Sequence, residues 1–96
     1  MTMDEIRVID NPAEQRYELW RGDTLGGFIE YGLRENVVAM THTEIEPKLQ
    51  TQGLGTRLVA DALADTRARG RTLKPYCPFV AAYIREHPEY EDLVAG

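Results

Sequence analysis

With 43% hydrophobic and 28% charged side chains, the 96 residues suffice for one modest core and leave no room for a second folding unit, so residues 1–96 read as a single domain. No apolar run approaches the ~18 residues of a membrane span, and Met1-Thr2-Met3-Asp4-Glu5 has no basic region followed by an apolar stretch, so no membrane partner is expected and a cytoplasmic place follows. A net charge of −5 argues against nucleic acid as a partner, and the lone Cys77 cannot form an internal disulfide.

In chain order, Ile6 to Ile9 reads as a short strand, broken by Asn11-Pro12. A second strand runs from Arg16 to Trp20, and Arg21-Gly22-Asp23 turns the chain into a third from Thr24 to Arg34, where Gly26-Gly27 marks a bulge or bend. Glu35-Asn36 turns it again. Val37 to Glu46 reads as a long strand with Val38, Met40 and His42 on one face and Val37, Ala39, Thr41, Thr43 and Ile45 on the other. These four strands suggest an antiparallel meander, with Trp20, Phe28 and Tyr31 read as sheet core.

After Pro47 the period becomes helical: Leu54, Leu58, Val59, Ala62 and Leu63 predict a helix from about Gly55 to Arg69, stopped by Gly70. Thr72 to Cys77 reads as a fifth strand, which makes a parallel β-α-β crossover unit. Pro78 opens a second helix that His87-Pro88 ends, and Glu89 to Gly96 reads as a tail. The fold class is therefore α+β (mixed α/β): an antiparallel meander, a parallel β-α-β unit and a C-terminal helix.

The run Gln50-Thr51-Gln52-Gly53-Leu54-Gly55-Thr56-Arg57 lies between strand and helix, where glycines admit a close ligand and a helix start offers unpaired N–H groups to an anion. Lys48 to Lys74 holds six basic residues against two acids, a local +4 within the acidic chain; it suits a small polyanion, although Arg57/Asp61 and Asp65/Arg69 equally fit the i,i+4 pairs of a solvated helix face. Gly55 is followed by Thr56-Arg57 rather than the Lys-Ser/Thr of a nucleotide triphosphate loop, and Leu58 stands where a dinucleotide fingerprint needs its third glycine. No His, Cys, Asp and Glu grouping has metal-site spacing, so no metal is expected.

Gln50-x-x-Gly53-x-Gly55 resembles the pyrophosphate-binding Q/R-x-x-G-x-G/A motif of the GNAT superfamily of N-acetyltransferases. Its flanks, His42-Thr43-Glu44-Ile45 before it and Tyr76-Cys77-Pro78-Phe79-Val80 and Ala82 to Tyr90 after it, are similar to the small Acetyltransf-CG branch of that superfamily. The resemblance covers nearly the whole chain.

It implies a minimal GNAT-like fold, acetyl-CoA as co-substrate and an amine as acceptor. Ile45 and Glu46 would offer backbone bonds to the pantetheine arm. The N–H groups across Gln52, Gly53, Leu54, Gly55, Thr56 and Arg57 would hold the pyrophosphate, with Gln50 as a further donor and Pro78 also among the cofactor-binding residues. Among catalytic candidates, His42 is a base or a hydrogen-bonded histidine of a sheet face; an imidazole ordinarily titrates near ~6.5. Cys77, beside the acetyl group in this branch, is a transient acceptor, a pocket lining or a buried small hydrophobe. Tyr83 resembles the tyrosine that protonates the departing thiolate, or packs in the core. Larger relatives place two helices between their first two strands, whereas here only Asp10 to Gln15 joins them, so the acceptor side is expected to be open, suiting an exposed protein amine.

Overall fold

The computed structural model describes residues 5–95, so the reading of the first residues as free of a leader falls on residues 1–4, outside the described ones, as does Gly96. Five strands lie in sequence order: β1 (Ile6–Asn11), β2 (Arg16–Arg21), β3 (Thr24–Arg34), β4 (Val37–Ile45) and β5 (Thr72–Pro75). The first four form the antiparallel meander, and β5 joins β4 in parallel. Helices α1 (Pro47–Gln50), α2 (Leu54–Ala68) and α3 (Pro78–Glu86) follow, with a 3-10 segment at Pro88–Leu93. That mixed α+β order is the one the hydrophobic periods predict.

All the core side chains of the sheet point one way. Tyr17, Leu19, Ile29, Tyr31, Val38, Met40 and Leu73 are buried against Leu58, Val59, Ala62 and Leu63 of α2 and Val80 and Ile84 of α3. Burying apolar area on one face of a sheet against amphipathic helices is what stabilises such a two-layer unit. Among the described residues, no helix packs on the opposite face. Two buried tyrosines tie the layers together, since Tyr17 donates its hydroxyl to Asp65 of α2 (2.7 Å) and Tyr31 donates to Asp10, which lies 3.9 Å from Arg69.

The structure corrects the face assignment on β4. Glu30 pairs with His42 but Tyr31 pairs with Met40, so Thr41 is an extra residue that shifts the register. Beyond it the alternation reverses: Thr43 and Ile45 follow Val38 and Met40 onto the helix side, while His42 and Glu44 face the open side. A similar bulge lies at Gly26 of β3, where Leu19 pairs with Gly27 and Trp20 with Leu25. Trp20 and Phe28 also leave the core for the open face. There Trp20 Nε1 donates to Glu18 (3.0 Å), and the Arg16 guanidinium lies 4.8 Å from the Phe28 ring centre.

Four boundaries differ from expectation, the first being β1, which runs on from Ile9 to Asn11. The stretch after Glu46 contains a short helix because Glu46 caps it, its carboxylate accepting from the Lys48 N–H, with Pro47 in the first turn. The fifth strand stops at Pro75 rather than Cys77, and Cys77 is instead the N-cap of α3. The tail folds back as the 3-10 segment, burying Leu93, and Val94 bridges Leu73 so that the outer edge of β5 is covered.

Candidate active site

β4 and β5 separate from each other at one point. Their pairing runs from Val37–Thr72 to Met40–Pro75, and the Cys77 N–H makes a last bond to Met40 O (3.0 Å). Pro75 has no N–H to extend the ladder, Tyr76 N–H turns back to Lys74 O (3.0 Å), and Pro78 starts α3. The side of β4 from Thr41 to Ile45 is thus left without a strand beside it. Glu46 N–H donates to Gly26 O (2.8 Å), so the antiparallel alternation directs the amides and carbonyls of Glu44 and His42 toward β3 and those of Thr43 and Ile45 toward the opening.

This revises one expected contact. The Glu46 N–H is taken by Gly26, and its carbonyl accepts from Leu49 (2.9 Å) and Gln50 (3.0 Å). Of the two backbone positions expected to serve a ligand, Ile45 faces the opening and Glu46 is engaged.

The loop refines in the same way. Gln52 N–H donates to Leu49 O, Gly53 N–H to Gln50 O and Arg57 N–H to Gly53 O, so these three expected donors are used inside the protein. The N–H groups of Leu54, Gly55 and Thr56 have no partner among the described residues, and α2 has no side-chain cap. Three adjacent free donors at the start of a 15-residue helix carry the partial positive charge that suits an anion. Gly53 sets the turn with φ +80°. The side chains of Gln50 and Gln52 are exposed, and Arg57 is held by Asp61 (3.3 Å) and Ile6 O (3.4 Å).

The catalytic candidates do not converge. Cys77 is buried, with Sγ 3.1 Å from Thr43 Oγ1, where β4 and α3 diverge. His42 lies on the other sheet face, its Nε2 2.9 Å from Glu44 Oε2, with side chains 52% and 62% exposed. Tyr83 stands six residues beyond Cys77, about 9 Å along the helix axis, stacked on His87 at 4.0 Å and bordering a shallow groove with Thr56, Phe79 and Ala82. Burial first, then the nearby Tyr90, Glu89 and Asp61, raises its pKa, so the phenol stays protonated. Pro78 is exposed in the first turn of α3.

Thr43 and Glu44 were not singled out from the sequence. Without knowledge of the Thr41 bulge, strict alternation puts Thr43 on the face away from Met40 and pairs His42 with the core.

The family model described as GCN5-related N-acetyl-transferase matches residues 16–93, a span that holds the open β4 edge, the glycine turn and α3. The chain belongs to the GCN5-related N-acetyltransferases. A GCN5-like protein of Staphylococcus aureus, solved in solution by NMR, superposes on this fold with a TM-score of 0.72 at 20% identity, covering 100% of this chain and 92% of that chain. No curated protein sequence matches the chain. No group of three or more His, Cys, Asp or Glu side chains is placed to hold a metal among the described residues, and no helix there is long and apolar enough to cross a membrane.

Proposed function

We propose that the protein transfers an acetyl group from acetyl-CoA to a primary amine. The observation that carries this reading is the pair of unused sets of backbone groups, one at the Thr43 and Ile45 edge and the other the N–H groups of Leu54, Gly55 and Thr56. An extended arm bearing amides suits the first, and a pyrophosphate suits the second. Acetyl-CoA has both, and supplies the activated thioester carbonyl.

In this reading His42 accepts the proton of the attacking amine, while Glu44 holds the imidazole in place. As the new C–N bond forms, the C–S bond breaks, and Tyr83 is the proposed proton source for the thiolate. Cys77 and Thr43 form the inner wall beside the reacting carbonyl. Ile45, Leu54, Gly55 and Thr56 bind the donor, with Gln50, Gln52, Gly53, Arg57 and Pro78 framing it. The positive charge of the Lys48–Lys74 segment favours the same polyanion.

The test has two stages. CoA should raise the melting temperature in a concentration-dependent way, and acetyl-CoA with candidate amines should release free CoA above background. His42→Gln should then lower kcat about a hundredfold or more with CoA affinity kept, and Tyr83→Phe should slow turnover. Absence of a CoA-dependent shift would overturn the reading.

The dispersal of His42, Cys77 and Tyr83 over two sheet faces and a second helix turn favours one alternative, a CoA-binding module with little turnover. CoA binding without amine-dependent CoA release would select it.

A further inference from the structure

The open face of the sheet carries a groove of about 430 Å³ that crosses the strands from Gln15 to Tyr76. Its floor is open because Gly32 and Ala39, partners across β3 and β4, are small, and a β-carbon on Gly32 would meet nothing within 4 Å. Tyr76, 64% exposed, stands at its end. The next same-face pair toward the opening is Glu30–His42. The groove therefore ends one same-face pair short of the side chain read above as the base.

Charge divides along this face. Glu30 and Glu44 flank His42, whereas Arg34 and Lys74 border the groove, with Glu35 the one acid among its lining residues. Neither Arg34 nor Lys74 has an ion pair among the described residues. From the Glu30–His42 pair to the Gly32–Ala39 pair is one two-residue step, about 7 Å, and Arg34–Val37 lies about 7 Å further. A ligand fitting this pattern has an amine at one end and a carboxylate about 7–14 Å away, which is two to four residues of extended peptide.

The degree of exposure selects among amines. With its side chain 52% exposed, His42 lies in no low-dielectric pocket that would strip a proton from a lysine, whose ordinary pKa is about 10.4, and the nearby carboxylates favour the ammonium form further. A peptide α-amine, ordinarily near 7.7–8.0, supplies free base at neutral pH without such help.

We propose that this groove is the acceptor subsite, and that it holds the amino-terminal segment of a peptide with an acidic residue within its first four positions. The inference rests on the acetyl-transfer reading and adds the acceptor to it. The peptide nitrogen attacks at the opening, His42 takes its proton, and the acidic side chain lies between Arg34 and Lys74.

The experiment uses the full chain, acetyl-CoA and three peptides: one with a free N-terminus and Glu at position three, one with Arg there, and one with a blocked N-terminus and an internal lysine. Acetylated mass and kcat/KM are read for the parent and for the Arg34→Glu/Lys74→Glu variant. The parent should favour the Glu peptide about tenfold, chiefly through KM, and the variant should reverse that preference. In ¹⁵N spectra the Glu peptide should shift the amides of Gly32 and Ala39. Equal use of the two free peptides, preference for the blocked lysine peptide, or unmoved Gly32 and Ala39 amides would overturn the assignment. A CoA thermal shift reads the donor site separately: if CoA fails to bind, acetyl transfer falls, and the amide shifts alone decide the groove.

Discussion

A β-carbon at Gly55 would lie 3.1 Å from Phe79 Cζ, whereas one at Gly53 would meet nothing within 4 Å, and only Gly53 has a positive φ. The two glycines of the motif thus serve different needs. Gly53 supplies a left-handed turn, and Gly55 lets α3 approach α2 closely; neither role was separable in the sequence, where both were read as clearing space for a ligand. Gly53→Ala should cost about 1–2 kcal/mol through backbone strain, and Gly53→Asn should cost less. Gly55→Ala should cost about 1–3 kcal/mol through overpacking, with recovery in a Gly55→Ala/Phe79→Leu double variant. Urea denaturation of the four proteins distinguishes strain from packing. Glu18 provides another test on a single side chain. Burial disfavours its charge, but hydrogen bonds from Arg16, Trp20 and Asn11 outweigh that and hold its pKa below the ordinary value. Because the folded pKa is the lower one, this stabilisation is present above the unfolded pKa and is lost as pH falls through the folded pKa. Glu18→Gln should therefore flatten the loss of stability in acid, measured by urea midpoints from pH 7 downward.

At the scale of elements, the order and type of the strands and the two long helices followed from hydrophobic period and from glycine and proline punctuation. Two kinds of feature did not. One was the bulge at Thr41, which no local residue announces because threonine suits a regular strand; it decides which face His42 occupies. The other was structure stabilised from a distance. Pro88–Leu93 is short and polar, with Pro88, Glu89, Tyr90, Glu91 and Asp92 preceding its apolar Leu93, yet it folds because Leu93 is buried in the core and Arg67 of α2 reaches Asp92 (2.9 Å) and Glu89 O (2.8 Å). Leu93→Ala should cost about 2–5 kcal/mol, read from the urea midpoint. It should also speed amide exchange at Ala95, whose N–H bonds Leu73 O at 2.8 Å, well before α2 is affected.

For the whole molecule, the sheet and α2 are joined by polar bonds as well as by apolar contact. The Tyr17 pKa is raised by burial and by the Asp65 bond, and that of Tyr31 is pushed up to about 12 by burial and by Asp10. Both folded pKa values exceed the unfolded one near 10, so the stabilisation is complete below pH 10 and declines as pH rises through the folded values. Alkaline titration should show these two tyrosines ionising only together with loss of the far-ultraviolet circular dichroism signal, and Tyr31→Phe should move that transition. Backbone groups left beside Thr43 and Ile45 are a short sheet edge, and an unpaired edge invites another chain as readily as it does a ligand arm. A bound arm would then act as a removable edge strand: under slow heating at high concentration, protein saturated with CoA should stay in solution longer than protein without it, by more than the rise in melting temperature alone accounts for.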